Sequence, residues 1–268
     1  MKRELYIHIG GHKTGSTALQ TFLSLNRDLL NTKGVMYPGK RKNHHDLARE
    51  FRNASLEHIM REKPKSLKYF HEIRRSGYPK AILSSEGFEG KRVAVNTLKE
   101  VLPEEYEVKI IYYMRRQDER LESSYNQKVK GLKRREIKRF SSEMVFSRPH
   151  NQNGKGIPKF LDYYHILSPW RDAFGKENIS VRCYEKEQLK EGIFKDFCTA
   201  IGIDLEPSFK IPAGRVNLSL DWDTIEIIRL CNEQFSDNRR FHVWLRQNIN
   251  KIKRPELNKK QYLLSPQQ

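Results

Sequence analysis

LYIHIGGHKTGSTALQTFL, residues 5–23, begins as a short β-branched and aromatic run, Leu5-Tyr6-Ile7-His8-Ile9. It breaks at Gly10-Gly11, presents Lys13-Thr14-Gly15-Ser16-Thr17, and continues with Leu19, Phe22 and Leu23 at helical spacing. Strand, glycine turn and hydroxyl-rich helix start make an anion site. The first amides of a helix have no internal partner and lie at the positive end of its dipole. Glycines let that backbone approach a phosphate closely. The common nucleotide loop reads G-x-x-x-x-G-K-[ST]. Gly10 and Gly15 keep its spacing, but Ser16 stands where the lysine belongs, and Lys13 lies inside the loop. A lysine placed there addresses a group near the first phosphate. This suits a donor with one phosphate followed by one transferable group.

Outward from the loop, Ser16 to about Lys33 carries one apolar stripe, which predicts a helix ended by Gly34. Val35-Met36-Tyr37 is a short extended piece. Arg41 to Leu47 is a turn with paired histidines that leads into a short helix. Ser55 to Gly77 is a basic helical region restarted at Pro64. Ala81 to Phe88 reads as the second parallel strand and its exit, with Glu86 at the carboxyl end, the edge where open α/β sheets bind ligands. Val93 to Leu102 is a helix stopped by Pro103. Val108 to Met114 is the third strand, central because it is apolar on both faces. Ile157 to Phe174 is helical with a break expected at Ser168-Pro169. Ile179 to Tyr184 is the fourth strand, Phe194 to Ile201 a helix, and another helix begins near Asp221.

After the third strand, Arg115 is followed eight residues later by Ser123, about two turns into the next helix. Arginine offers a bidentate fork to a phosphate and serine a neutral donor. Arg116 and Ser124 carry the same spacing. The amino-terminal segment resembles the phosphosulfate loop of sulfotransferases that use 3'-phosphoadenosine 5'-phosphosulfate (PAPS), and the Arg115/Ser123/Tyr125 pattern resembles the site where that family holds the ribose 3'-phosphate. The resemblance spans roughly Leu5 to Leu220. It implies a single α/β domain over 1–268, with a central parallel sheet flanked by helices in the P-loop-like sulfotransferase architecture. It also implies a PAPS donor leaving adenosine 3',5'-bisphosphate, held by His12, Lys13, Thr14, Gly15, Ser16, Thr17, Arg115 and Ser123. Arg215 and Asn217 fall where the family closes its nucleotide site. Lys13 would meet the charge that builds on the leaving phosphate. Relatives acting on sugars commonly use a glutamate near the second strand as base and others a histidine, so Glu86, His44 and His45 are the candidates. Each has a plainer reading: Glu86 as a helix cap or a partner of Lys91 or Arg92, and the histidines as polar turn residues.

Composition bounds the partners. The 51 Lys+Arg against 33 Asp+Glu leave +18 on 268 residues, a field that draws anions without choosing among them. The segment 130–156 is strongly basic, a solvated face or a wall for an acidic acceptor, and the tail after 254 reads as frayed. Cys183, Cys198 and Cys231 are widely spaced and odd in number, as expected of reduced residues in a cytoplasmic protein. No metal is expected, because no His or Cys spacing suits one. The core strand follows at once after Glu4, which argues against a leader peptide. No apolar run approaches the roughly 20 residues of a membrane span, although peripheral membrane contact is compatible with the charge. The acceptor implied is a hydroxyl of a carbohydrate or glycolipid, itself neutral or anionic. Two alternatives remain in other classes. One is a basic nucleic-acid-binding module, disfavoured because the basic segments lack interleaved aromatics. The other is a small-molecule kinase, disfavoured by the displaced lysine.

Overall fold

Five strands pair in parallel in the order β2-β3-β1-β4-β5 in the computed structural model. It describes residues 3–90, 93–130, 158–185, 187–213, 222–235, 240–241, 243–245 and 248. The strands are β1 (Arg3–His8), β2 (Val35–Met36), β3 (Lys80–Ser84), β4 (Tyr106–Met114) and β5 (Ile179–Cys183). β1 sits between β3 and β4, with Ile7 opposite Leu83 on one side and Ile110 on the other. Because successive side chains of a strand point to opposite faces, Leu5, Ile7 and Ile9 enter one core and Tyr6 the other. Both faces of the sheet centre are covered, so Leu5 to Ile7, Ala81 to Leu83 and Ile110 to Tyr113 are apolar runs, whereas the edge strand β5 alternates. The chain lays β2 and β3 to one side of β1, then crosses to β4 on the other. That reversal marks the carboxyl edge of β1, β3 and β4 as the ligand crevice.

One face carries α1 (Ser16–Leu25), α2 (Arg27–Thr32) and α9 (Gly192–Ala200). The other carries α3 (His45–Glu50), α5 (Lys68–Ser76), α6 (Val95–Val101) and α8 (Tyr163–Phe174), with α4 (Leu56–Glu62) contributing Ile59. Two local expectations are corrected. The helix from Ser16 is not continuous: it breaks at Asn26, whose buried side chain donates to the carbonyls of Phe22 (2.8 Å) and Lys210 (2.9 Å) and accepts from the Lys210 amide (2.8 Å). These bonds compete with the helical ladder. Conversely, no break occurs at Pro169, which lies inside α8. Its cost of about 3 kcal/mol is outweighed by packing, since Ile166, Trp170 and Ala173 are all buried and Trp170 meets Phe88 and Phe174. Val35-Met36 proves to be an edge strand paired with β3.

The described residues fall into two compact units, 1–116 with 163–214 and 117–162 with 215–268. The first holds the sheet. In the second, α7 (Gln117–Lys130) and α10 (Trp222–Gln234) pack Tyr125, Val129, Ile225 and Ile228 together with Leu245, and Asn232 donates to the Val129 carbonyl (2.8 Å). Arg120 is buried, its guanidinium over the Phe160 ring. The three cysteines are free thiols, and burial pushes that of Cys198 up to about 12. Among the described residues no helix is long and apolar enough to cross a membrane, and no group of three or more His, Cys, Asp or Glu could hold a metal ion.

Candidate active site

The loop leaves β1 through two glycines that nothing larger could replace. Gly11 has φ 114°, and a Cβ there would lie 2.2 Å from the Tyr113 carbonyl oxygen; one on Gly10 would lie 2.7 Å from Glu86 Cα. This brings the exit of β3, with Glu86, directly against the loop. Lys13 takes a left-handed backbone, φ 71°, a conformation costly to a residue with a side chain and concentrated at functional sites. Gly15, also left-handed, precedes α1. The Leu19 amide donates to the Gly15 carbonyl (3.0 Å), so the amides just before it lie at the open end of the helix.

Not every loop hydroxyl faces outward. Thr14 and Ser16 are buried and donate to the Gly11 carbonyl (2.6 and 3.2 Å), bracing the turn. Thr17 is exposed. The His12 amide donates to Glu89 (2.9 Å), a buried carboxylate that also accepts from the Tyr112 hydroxyl (2.6 Å). Glu89 thus ties the loop to β4. Sequence reasoning passed over it; the available signal was its spacing of three from Glu86, which eclipses the two on the 3₁₀ turn 86–89.

Two cations meet at this loop. Arg115, just beyond β4, donates from Nη1 to the Lys13 carbonyl (3.2 Å), and its own carbonyl accepts from the Tyr163 hydroxyl. Burial lowers the Lys13 pKa, nearby Glu86 raises it, and Arg115 lowers it further; the net shift is downward. Glu86 accepts from, or shares a proton with, His12 Nδ1 at 3.1 Å. Burial raises the Glu86 pKa, but the hydrogen bond and charge of His12, helped by His45 and His8, outweigh it and hold the carboxyl below its ordinary 4.5. It is ionised at neutral pH.

The paired histidines part company. His44 is fully buried. Its Nδ1 accepts from the Ser84 amide (3.0 Å) and its Nε2 faces the Pro38 carbonyl (3.1 Å). Burial pushes its pKa down to about 4, and the ring is a neutral brace between two backbone groups. His45 is exposed, with Nδ1 at 2.6 Å from Ser85 Oγ. It joins His12 and Glu86 around a pocket of about 440 Å³ that also holds Arg41, Asp46, Arg49 and Arg52. His8, not singled out from the sequence, is buried under Tyr113 and Phe197, with Nδ1 at 2.8 Å from Ser84 Oγ. The structure therefore brings His12, Lys13, Glu86, Arg115 and His45 to one edge of the sheet. Ser123 is half-buried on α7 in the second unit. Arg215, Asn217 and residues 131–156 of the basic segment lie outside the described residues.

Comparison with known proteins adds little to this geometry. No family model matches the chain. A stretch of 131 residues is 35% identical to an uncharacterised protein of Archaeoglobus fulgidus, covering 48% of this chain and 31% of that protein; the match thus spans less than a third of the relative's length. Among solved structures, a sulfotransferase from Alicyclobacillus acidocaldarius aligns over 78% of this chain and 89% of its own, at 16% identity and a TM-score of 0.42.

Proposed function

We propose that the protein is a sulfotransferase that moves a sulfuryl group from PAPS to a hydroxyl of a carbohydrate or glycolipid. The observation that carries this reading is the contact between Arg115 and the Lys13 carbonyl at the glycine loop, with the ionised Glu86 packed on Gly10. Cations from the exits of two neighbouring strands and a carboxylate from a third converge where a doubly phosphorylated nucleotide and an acceptor hydroxyl would both have to be handled. The residues fit the donor: the loop runs into helix amides that have no internal partner, and two cations, Lys13 and Arg115, one for each phosphate, stand beside it.

The donor, when bound, supplies a sulfuryl group on a phosphate leaving group, and such transfers are governed by positioning and charge stabilisation. Lys13 offers its ammonium to the oxygen on which charge builds. The open amides before Leu19, with the Thr17 hydroxyl, hold the phosphate end, and Thr14 and Ser16 keep that loop in shape. Arg115 takes the second phosphate as a fork. Glu86, held ionised by His12, receives the acceptor's proton. His44 has both ring nitrogens engaged with the backbone and serves the framework.

Transfer of label from PAPS carrying a labelled sulfuryl group to a pool of sugar acceptors tests this. Lys13→Ala should lower transfer on the order of 10²–10³-fold while the protein still melts cooperatively near the wild-type temperature. Label transfer indifferent to Lys13→Ala, or phosphoryl transfer from ATP in its place, would contradict the reading.

A further inference from the structure

The pocket beside Glu86 has a chemistry the transfer reaction does not by itself require. α3 buries Leu47 and Ala48, with Phe51 just beyond its end. His45 and Arg49, spaced i and i+4, share one face of α3; Arg52, just past the helix end in a backbone bridge to Val93, lines the pocket with them. Two arginines, Arg49 and Arg52, thus line the same hollow as Glu86, the residue assigned as base, joined by Arg41 from the preceding loop. The acidic residues do not neutralise them. Asp46 accepts from the Tyr69 hydroxyl (2.8 Å) and the Leu47 amide (3.1 Å), and only Arg41 approaches it, at 3.6 Å. Glu86 is taken by His12. Arg49 and Arg52 have no ion pair or side-chain hydrogen bond among the described residues. A surface arginine is normally a solvated charge; three in one concave site, two of them without an internal anion, form a receptor for one.

We infer that this pocket selects an acceptor that already carries an anionic group, a carboxylate or a sulfate ester, gripped by Arg49 and Arg52 while its free hydroxyl faces Glu86. The inference rests on the sulfotransferase reading for the identity of the second ligand, but not for the existence of the anion site. Planar guanidinium forks suit either oxyanion. A neutral sugar of the same shape leaves the arginines unanswered and binds less well.

Calorimetry on the full chain separates the possibilities. The probes are a uronic-acid disaccharide, its carboxyl-reduced counterpart, a sulfated disaccharide and adenosine 3',5'-bisphosphate. The wild type should bind at least one charged sugar better than the neutral one. The Arg49→Ala/Arg52→Ala double variant, altered only at exposed positions, should lose about tenfold in affinity per arginine for that charged sugar, with bisphosphate binding unchanged. Whether the uronic acid or the sulfate ester is preferred identifies the anion. Charged and neutral sugars bound alike, no charged sugar bound, or an unchanged double variant would overturn the inference. So would a double variant that loses bisphosphate affinity, because the arginines would then serve the donor. A wild type that takes the charged sugar but no bisphosphate refutes the donor assignment and leaves the anion site standing.

Discussion

Lys13 is held at φ 71°, a strain of about 1–3 kcal/mol that the packed loop around it sustains: Gly11 against Tyr113 behind, Glu89 gripping the His12 amide, Thr14 and Ser16 tied to one carbonyl. The same crowding governs Glu86. Its neighbours favour the charged form, so its folded pKa is depressed and the proton-accepting form survives to a lower pH than an ordinary carboxylate's 4.5. The acid limb of a kcat–pH profile should therefore fall below that value. His12→Ala removes the largest influence opposing burial, so the limb should move upward; a limb that stays in place would show that Glu86 is not the titrating base. Lys13, Glu86 and Arg115 were legible in the sequence because each follows directly from a strand end, where local order decides placement. Glu89 was not, because its importance depends on reaching across to the amide of His12, 77 residues away in sequence. His44 and His45 looked equivalent. One residue separates a ring walled in by Tyr37 and Tyr69 from one on the rim of a pocket, and spacing alone carries no such distinction.

At the scale of elements, the parallel strands were readable because a strand segment buried on both faces must be apolar, as Leu5 to Ile7 of β1 and Ile110 to Tyr113 of β4 are. The two-residue β2 was less so; its pairing with Lys80 and Ala81 depends on a neighbour 45 residues away in sequence. Helix ends misled in both directions for one reason: long-range partners override local preference. Asn26 stops α1 by bonding to residue 210, and Pro169 fails to stop α8 because Trp170 is anchored. Asn26→Ala would leave the Phe22 carbonyl and the backbone groups of Lys210 without these partners. It should cost about 2 kcal/mol in denaturant unfolding, with the m-value unchanged. A loss within a few tenths of a kcal/mol would mean the break is set elsewhere. α3 shows how a candidate site hides in an amphipathic pattern: its apolar side announces the core, while the side carrying His45 and Arg49, with Arg52 just beyond the helix end, reads as ordinary solvated surface until the hollow they line is seen.

For the whole molecule, the +18 charge favours anions without choosing among them. The sheet order gives that charge a direction, because reversal around β1 gathers a lysine, an arginine and a carboxylate at one edge of the first unit. The central claim is that this edge grips both phosphates of one adenosine carrier. Calorimetric titration with adenosine 3',5'-bisphosphate and with ATP, on wild type and on Lys13→Ala and Arg115→Ala, tests it most directly. The bisphosphate should bind at least about tenfold more tightly than ATP, and each substitution should weaken it by about tenfold or more. Equal affinity for the two nucleotides, or bisphosphate binding that neither substitution disturbs, would contradict it.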